Sequence, residues 1–434
     1  MFQKVLIANR GEVARRIIRA CRQLSIQTVA VFSTADRDAL FVKEADEAVQ
    51  IGPVPVAESY LNREAILMAG VIKDCDAVHP GYGFLSEDAL FAEMVEESGM
   101  TWIGPQPAMI ERFADKNKSR QWAIGRNVPV IPGTSVITSL NELHDEVKKI
   151  GFPVLIKSSL GGGGKGIRKA QNQYELEQEF NTVQQEATAS FGESPIYLEK
   201  ELANPQHIEV QVIGNNAGIQ ILGDRNCSIQ IHRQKVVEES PALLPAKQRR
   251  ELYRLVHLLL DNSGYQNLAT VEFLYSQKQF YFLEMNTRLQ VEHGVTELTT
   301  QVDIVQDQIK IASGEAIEFC LNEVQNHAIE VRINALTPGN LEILCFPTGV
   351  RIDTGVQEGD RLLSFYDPLI AKMLVTGETR EDAVFNLERA LSKVEIRGVA
   401  TNIDQIQQLL NSKVFQSGSY DIHTFQEIIE EEQK

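Results

Sequence analysis

One segment, residues 280–297 with the sequence FYFLEMNTRLQVEHGVTE, constrains the fold more than any other part of the chain. Its first residues are aromatic and apolar, which predicts a buried strand, and a strand places every second side chain on one face. Glu284 and Asn286 would then share a face and could bind one cation. A strand with a solvated polar edge is the alternative. A carboxylate inside an apolar strand is costly without a partner, which favours a metal site.

A second acidic residue lies in the apolar strand predicted at residues 268–275. A turn at 276–279 would join the two strands in a hairpin and bring Glu272 close to Glu284. Two carboxylates and an amide oxygen on neighbouring strands are hard ligands of the kind that suit Mg²⁺ bridged to phosphates. Because two like charges this close would repel each other, the hairpin predicts a bound cation.

Beyond Asn286 the polar residues continue at every second position. Arg288, Gln290 and Glu292 would add an anion-binding guanidinium, an amide and a further carboxylate to the same face, provided that the segment stays extended. The pattern therefore predicts that an anionic substrate binds directly beside the metal.

The whole chain has 434 residues, which is too long for one core and predicts several domains. Its formal charge of −17 disfavours nonspecific binding to nucleic acid or to an anionic membrane, although a local basic cleft is allowed. No apolar run approaches the ~18 residues that a membrane-spanning helix needs. The five cysteines are scattered and form no CxxC pair, so they indicate neither a disulfide framework nor a zinc site and favour the cytoplasm.

The N-terminal region shows alternating strand and helix patterns, at residues 4–8, 11–24, 28–32, 61–72, 77–79 and 100–103. This rhythm predicts a doubly wound parallel sheet within an α/β fold. The first turn, Asn9-Arg10-Gly11-Glu12, lacks GxGxxG, which argues against a dinucleotide site. The glycine-punctuated loop at 79–87 follows a strand at the edge where such sheets bind ligands, although an ordinary strand-to-helix turn would look the same.

A glycine-rich loop occupies residues 158–166, with five glycines in the last six positions. Glycine permits positive φ and close backbone approach, so that successive N–H groups can converge on phosphate oxygens. Lys157 precedes the loop and would add a point charge. The loop is not of the Walker A type, because GxxxxGK[ST] is absent. A flexible linker is the alternative, but the two apolar strands that bracket the loop favour a mobile lid.

Two further strand patterns carry polar residues. His207, Glu209 and Gln211 alternate with apolar residues, which predicts that they share one face of a strand, although His207 could also be an ordinary hydrogen-bonded residue of that strand. The cations of 224–235 stand out in an acidic chain. Cys227 lies among them without a neighbour that would activate it, which favours a structural thiol.

The strand predicted at 328–334 places Glu330, Arg332 and Asn334 on one face. From residue 336 onward the chain reads as mixed α+β with no chemistry of its own.

Taken in order, these motifs resemble those of ATP-grasp ligases, specifically the biotin carboxylase subunit of bacterial acetyl-CoA carboxylase. The matching motifs span essentially the whole chain and are IANRGEVARRIIRAC, HPGYGFLSE, FPVLIKSSLGGGGKGIR, VVEES, EMNTRLQVEH, HAIEVRINA and TNID. The resemblance implies three domains. They are an N-terminal Rossmann-like domain at 1–114, an ATP-grasp domain at 115–335 with a lid at about 134–203, and a C-terminal mixed α+β domain at 336–434.

The resemblance also implies roles for single residues. The ATP phosphates would be held by Lys116, Lys157, Gly162, Gly163 and Gly164, and the rest of the nucleotide by Glu199, Lys200, Leu202, His207 and Gln230. Mg²⁺, or Mn²⁺ in its place, would be held by Glu272, Glu284 and Asn286. Bicarbonate would be held by Lys235, Arg288, Gln290 and the backbone at Val291, with Glu292 as its general base and Arg332 stabilising the enolate of biotin.

The implied activity is ATP-dependent carboxylation of biotin with bicarbonate through carboxyphosphate, the first half-reaction of acetyl-CoA carboxylase in fatty acid synthesis. The sequence contains no lysine-centred Met-Lys-Met segment, so biotin is expected on a separate biotin carboxyl carrier protein. Carboxyltransferase subunits and a homodimeric assembly are implied as well.

Four segments depart from the usual pattern of the family, at 231–233, Gly294, 336–337 and 340–349. Gly294 replaces a usual proline, which is expected to loosen the loop after the base. Two alternatives stay open: another ATP-grasp carbon–nitrogen ligase that acts through an acyl phosphate, and a non-catalytic paralogue that binds nucleotide or carrier and regulates a carboxylase.

Overall fold

The computed structural model describes residues 1–137, 139–158, 167–191, 195–317 and 326–432. Within these ranges no helix is both long enough and apolar enough to cross a membrane.

The N-terminal region forms a parallel sheet with helices around it. Its elements are β1 Lys4–Ile7, α1 Gly11–Gln23, β2 Gln27–Ser33, α2 Leu40–Glu44, β3 Glu47–Gly52, α3 Arg63–Ile72, β4 Ala77–His79, α4 Ala89–Glu97, β5 Thr101–Trp102 and α5 Pro107–Ala114. The strand order is β3-β2-β1-β4-β5, with β1 in the centre and its apolar residues fully buried. The predicted doubly wound parallel sheet is therefore confirmed. Helices α3 and α4 are preceded by the N-cap residues Asn62 and Asp88, whose side chains accept backbone N–H groups of the first turn.

Strand β4 ends at His79, which is fully buried. The backbone N–H of Gly81 donates to His79 Nδ1 at 3.0 Å, so the imidazole must be neutral at this nitrogen. Burial, together with the charge of Arg16, lowers the pKa of His79 to about 3.

We expect acid to destabilise the protein through His79. An unfolded histidine titrates near pH 6.5, so between pH 6.5 and about 3 the unfolded chain binds a proton that the folded chain excludes. The stability is complete above pH 6.5 and falls by about 2 kcal/mol at pH 5. Thermal unfolding of the wild type and of His79→Asn, whose amide oxygen can still accept from Gly81, measures the effect. An equal loss of stability in both proteins between pH 7.5 and 5 would contradict it.

The next region begins with α6 at Lys116–Gly125 and continues into a small three-stranded unit. Its elements are α7 Leu140–Ile150, β6 Val154–Ser158, β7 Ile167–Ala170, α8 Gln173–Phe191 and β8 Ile196–Lys200. The antiparallel order is β7-β6-β8, and the unit has its own apolar core, which includes Leu143, Ile156 and Leu198. The predicted phosphate-binding residues Gly162, Gly163 and Gly164 lie outside the described residues.

An eight-stranded antiparallel sheet follows. Its strands and associated helices are β9 Gln206–Asn215, β10 Gly218–Ile231, β11 Gln234–Ser240, α9 Ala246–Leu260, β12 Asn267–Ser276, β13 Gln279–Asn286, α10 His293–Thr300, α11 Ile304–Ala312 and β14 His327–Asn334. The remaining elements are β15 Gly339–Asn340, β16 Ile343–Cys345, β17 Arg351–Thr354, β18 Arg361–Leu362, β19 Leu369–Gly377, α12 Arg380–Leu391, β20 Glu395–Arg397, α13 Ile403–Asn411, α14 Lys413–Gln416 and α15 Thr424–Glu432.

The order of this sheet is β13-β12-β9-β10-β11-β14-β19-β17. The boundary predicted between residues 335 and 336 therefore falls between β14 and β19, which are adjacent strands of one sheet. Residues from both sides of that boundary reach the same face, so the C-terminal region contributes side chains to the site described next.

Candidate active site

A row of charged residues crosses four adjacent strands of the large sheet. Arg225 on β10 pairs with Glu209 on β9, Glu209 pairs with Glu272 on β12, and Glu272 pairs with Glu284 on β13. Directly opposed residues lie on the same face, so one cation and three carboxylates converge there. The sequence predicts the hairpin and the proximity of Glu272 to Glu284, but it indicates no role for Glu209 or Arg225.

Lys235 on β11, the strand next to β10, reaches into this row. Its Nζ contacts Glu209 Oε2 at 2.6 Å, Glu292 Oε1 at 2.7 Å and Glu272 Oε1 at 3.0 Å. Burial would lower the pKa of Lys235, but the three carboxylates hold this pKa well above its usual value. The ammonium therefore stays charged and links the predicted metal ligand Glu272 to the predicted base Glu292.

Glu272 accepts further hydrogen bonds from the residues around it. His207 Nε2 donates to Glu272 Oε2 at 2.7 Å, and Gln230 Nε2 donates to His207 Nδ1 at 2.8 Å. Asn286 Nδ2 and Gln290 Nε2 donate to Glu272 Oε1 at 2.7 Å and 3.1 Å. The structure thus brings the predicted nucleotide contacts His207 and Gln230 into one network with the predicted metal site.

The residues at the hairpin fit a Mg²⁺ ion by the chemistry of their donor atoms. Glu272 and Glu284 offer carboxylates from paired positions, and Asn286 adds an amide oxygen two residues further along β13. These hard oxygens are what Mg²⁺ selects. The Glu284 side chain is 34% exposed and has Lys116 Nζ at 3.5 Å, which leaves it open toward a phosphate-bound ion.

The expectation that the strand continues to Glu292 is wrong. Strand β13 ends at Asn286, and α10 begins at His293, so the intervening residues turn. Arg288 still reaches back to the hairpin, because its NH2 donates to Asn286 Oδ1 at 2.9 Å and its NH1 to Gln290 Oε1 at 3.1 Å. Its Nε donates to Glu87 Oε2 at 2.9 Å, so the predicted N-terminal ligand loop also reaches this site.

Glu292 is fully buried between two cations. Lys235 holds one carboxylate oxygen, and Arg332 NH2 donates to the other at 2.9 Å. Burial alone would raise the pKa of Glu292, but Lys235, Arg332 and Arg225 hold it well below its usual value. The carboxylate is therefore ionised in the substrate-free protein.

The backbone at Val291, beside Glu292, is also fixed. Its carbonyl accepts from Lys372 Nζ at 2.8 Å. Lys372 lies on β19 and is fully buried, in the C-terminal region for which the sequence predicts no chemistry of its own. Only the pairing of β14 with β19 brings Lys372 here, and no local sequence pattern marks it.

The predicted nucleotide residues form a second group on and near the small three-stranded unit. Lys157 forms a buried ion pair with Glu199, and Arg120 NH1 lies 3.7 Å from the same carboxylate. The Lys200 ammonium instead donates to the carbonyls of Gly151 and Phe152. Lys200 would therefore contact a nucleotide through its backbone rather than through its charge. The predicted residue Leu202 lies two residues beyond the end of β8 and is half-buried.

Gly294 packs tightly in the first turn of α10, so the expected loosening after the base is wrong. A Cβ atom at this position would lie 2.4 Å from Leu374 Cδ2 and 3.2 Å from Glu330 Oε2. The absence of a side chain is what lets β19 approach the helix that begins beside Glu292.

Gly294→Ala is expected to destabilise the protein by about 1–3 kcal/mol, because the new methyl group overpacks this contact. Gly125→Ala is the matched control. Gly125 also lies in a helix, but a Cβ there meets nothing within 4 Å, so the change should stabilise by about 0.5–1 kcal/mol. Denaturant unfolding of the two variants against the wild type compares them. A Gly294→Ala protein as stable as the wild type would refute the packing argument.

A separate cavity of about 580 Å³ lies between the carboxyl ends of β1, β2 and β4 and residues 355–369. Its described lining contains none of the predicted site residues. Glu12 and Tyr82 lie on its wall and hydrogen-bond to each other, and Glu12 Oε1 is 3.0 Å from Lys372 Nζ. Lys372 therefore connects this cavity to the carbonyl of Val291.

The chain matches three family descriptions in order. Residues 1–110 match the N-terminal domain of biotin carboxylase, residues 115–320 the ATP-binding domain of the carbamoyl-phosphate synthase L chain, and residues 330–427 the C-terminal domain of biotin carboxylase. The matches cover the parallel sheet, the hairpin and the strands β14 and β19 that build the site.

Several proteins are similar over nearly the full length. The biotin carboxylase of Halalkalibacterium halodurans is 45% identical, with 96% of each chain covered. The biotin carboxylase domain dimer of 2-oxoglutarate carboxylase from Hydrogenobacter thermophilus, solved with MgADP, ADP and bicarbonate, is 41% identical with a TM-score of 0.95 and 98% of each chain covered. Biotin carboxylase from Campylobacter jejuni, solved as a β-γ-ATP complex, is 37% identical with a TM-score of 0.95, covering 98% of this chain and 99% of that one.

These similarities extend over the whole chain and cover the three regions in which the predicted motifs lie. With its hairpin carboxylates, buried Lys235 and paired Glu292 and Arg332, the chain belongs to the biotin carboxylase family of ATP-grasp ligases.

Proposed function

We propose that the protein catalyses ATP-dependent carboxylation of biotin with bicarbonate, by way of carboxyphosphate, on a separate biotin carboxyl carrier protein. The observation that carries this proposal is the position of Glu292, held between Lys235 and Arg332 beside the Glu272–Glu284 hairpin. Glu292, the predicted base, thus lies between the hairpin that would hold a phosphate-bound metal and the guanidinium of Arg332, which can face a second substrate.

The first chemical step is phosphoryl transfer to bicarbonate. When bound, Mg²⁺, or Mn²⁺ in its place, would neutralise charge on the phosphates, and Glu272, Glu284 and Asn286 would hold it. The cations Lys116 and Lys157 would hold the phosphates. Because this step depends mainly on positioning and charge neutralisation, the protein needs fixed cations rather than a covalent nucleophile.

Bicarbonate would bind against Lys235, Arg288 and Gln290. Its oxygen attacks the γ-phosphorus, ADP leaves, and the bicarbonate proton passes to Glu292. In the substrate-free protein Lys235 and Arg332 hold the pKa of Glu292 low. A bound anion shares those two cations, weakens their hold on Glu292 and raises its affinity for the proton.

Carboxyphosphate then breaks into CO₂ and phosphate. The phosphate takes the proton from N1 of biotin, and N1 forms its bond to the carbon of CO₂. Negative charge develops on the ureido oxygen, and Arg332 would stabilise it as the enolate forms. The buried surroundings strengthen this interaction, because the local dielectric is low.

We further propose that this half-reaction serves acetyl-CoA carboxylase in fatty acid synthesis, with carboxyltransferase subunits as partners, a cytoplasmic location and a homodimeric assembly. The dimer of the H. thermophilus domain supports the homodimeric part of this proposal, and the name of the H. halodurans relative supports the biotin carboxylase half-reaction. A second candidate is a carboxylase for an oxo acid, because the H. thermophilus protein is named as a 2-oxoglutarate carboxylase. The acceptor would be chosen by the carboxyltransferase, so this chain serves either role by the same chemistry.

ADP release, measured with and without bicarbonate and free biotin, tests the enzymatic proposal. ADP release that depends on bicarbonate and is accelerated by biotin supports it, and acceleration by other amines in place of biotin would favour a different ATP-grasp ligase. Nucleotide binding in a calorimeter without bicarbonate-dependent ADP release would instead indicate a non-catalytic paralogue. Reconstitution with carrier and carboxyltransferase, supplied with acetyl-CoA or 2-oxoglutarate, distinguishes the two acceptors.

A further inference from the structure

Two carboxylates lie opposite each other beside Arg332. Glu238 on β11 pairs in register with Glu330 on β14, and both residues are 0% exposed. Opposed residues in antiparallel strands have Cβ atoms about 4.5–5.5 Å apart. Two carboxylate anions at this separation, out of water, repel each other strongly, so the pair is expected to retain a proton.

The two carboxyl groups have different surroundings. Glu238 Oε1 lies 2.5 Å from Arg332 NH2, which is an ion-pair distance. Glu330 lies against Gly294 and Leu374. Within the described chain the oxygens of neither carboxyl group have a hydrogen-bond partner, so the ion pair with Arg332 is what distinguishes Glu238 from Glu330. The geometry therefore favours the anion at Glu238 and the proton at Glu330, since an unpaired buried charge is the costlier one.

The charged groups around the pair agree with this assignment. They come from every element packed against it: Lys235 on β11, Arg332 on β14, Lys372 on β19, Glu292 at the start of α10, and Arg351 on β17 beside Gly294. Burial raises the pKa of Glu238 to about 7 although Arg332 opposes the rise, and burial raises the pKa of Glu330 well above its usual value although Lys372 opposes it. Glu330 thus keeps its proton longer than Glu238 does.

We propose that Glu330 is maintained as a neutral acid so that ionised Glu238 can anchor Arg332 during the biotin step, which makes Glu238 and Glu330 positioning residues. The role of Arg332 in this step rests on the proposed function.

The same nitrogen of Arg332 contacts both Glu292 and Glu238. When Glu292 accepts the bicarbonate proton, it loses its charge and releases much of its hold on Arg332. Glu238 then keeps the guanidinium in place, and the turnover is completed when the Glu292 proton returns to solvent. A second anion at Glu330 would compete for Arg332 and pull it from the position that biotin needs.

The protonation state is tested directly by infrared spectroscopy of the full-length protein about one pH unit above the pKa of Glu238, which is about 7, so that Glu238 is mostly ionised. The spectrum of the wild type minus that of Glu330→Gln should show the carbonyl stretch of one protonated carboxyl group. The spectrum of Glu238→Gln should retain that band. No such band in the difference spectrum, or its loss in Glu238→Gln alone, would overturn the assignment. This measurement needs no turnover, so it decides the proton's location even if the proposed function fails.

Kinetics test the positioning role. Glu238→Gln should lower biotin-dependent ADP release about tenfold to a hundredfold, the scale of one lost contact between charged groups. Bicarbonate-dependent ADP release without biotin should fall much less. Glu238→Asp, which keeps the charge but shortens the reach, should lie between Glu238→Gln and the wild type.

The glutamine in Glu330→Gln resembles the neutral acid, so this variant should lower biotin-dependent ADP release by less than about fivefold, the scale of a change in one neutral hydrogen bond. It should also weaken the alkaline decline of biotin-dependent activity, because an amide cannot ionise and add the second anion. Equal losses in Glu330→Gln and Glu238→Gln, with pH profiles like that of the wild type, would show that the pair is only structural.

Discussion

Glu292→Gln is expected to lower biotin-dependent ADP release by about 10²–10⁴-fold, the range for removal of a general base. The amide keeps the size of the side chain but cannot accept the bicarbonate proton. Release without biotin should fall as well, because the variant is blocked before carboxyphosphate forms. Steady-state ADP release with saturating ATP, bicarbonate and free biotin measures the effect.

The control must separate lost chemistry from the loss of a buried charge, since Glu292 is fully buried and paired with Lys235 and Arg332. Glu297→Gln provides it. Glu297 lies in α10, the helix that begins directly after Glu292, and is buried and paired with Arg16 and Arg351. It is paired with no predicted substrate residue. Both variants should unfold at lower temperature, whereas only Glu292→Gln should lose turnover. Near-wild-type rates for Glu292→Gln would eliminate Glu292 as the base.

Arg332→Gln is the second large expected effect, a loss of about 10²–10³-fold in biotin-dependent ADP release, as found when a donor to a developing oxyanion is removed. Bicarbonate-dependent release without biotin should fall by less than tenfold, because Glu292 keeps its contact with Lys235. The two variants therefore differ in which step they impair. The ratio of the rates with and without biotin, measured for each, shows that difference.

Arg351→Gln is the matched control for Arg332→Gln. Arg351 is an arginine on the nearby strand β17 that pairs with Glu297 and Asp353. Its loss should lower stability but leave the ratio of the two rates near that of the wild type. Arg332→Lys keeps the charge without the planar fork and should recover part of the biotin-dependent rate. If Arg332→Gln lowered both rates equally, Arg332 would belong to the bicarbonate step instead.

The fold class and the core of the site were predictable where short-range patterns carry the information. The alternating strand and helix patterns at residues 4–79 predicted the parallel sheet, because a few residues are enough to distinguish the repeat of a helix from the repeat of a strand. The hairpin with Glu272 and Glu284 was predictable for the same reason, since a short turn fixes the pairing of two adjacent strands. Helix α9 at Ala246–Leu260 and strand β3 at Glu47–Gly52 were not predicted.

Strand periodicity misled where the chain leaves the sheet. The two-residue spacing of Arg288, Gln290 and Glu292 suggested one extended face, but β13 ends at Asn286 and α10 begins at His293. The functional side chains still converge, because Arg288 and Gln290 bond back to the end of the strand. Their convergence depends on tertiary contacts rather than on their two-residue spacing in the sequence.

By itself, the sequence determined the parallel sheet, the acidic hairpin and the set of residues that resemble a biotin carboxylase site. Only the tertiary structure decided that Lys235 joins Glu209, Glu272 and Glu292, and that Lys372 fixes the carbonyl of Val291. The physical reason is that these contacts depend on the order and register of strands far apart in the chain. Periodicity tells which face a side chain takes, but the pairing of β11 with β14 and of β14 with β19 determines its neighbours.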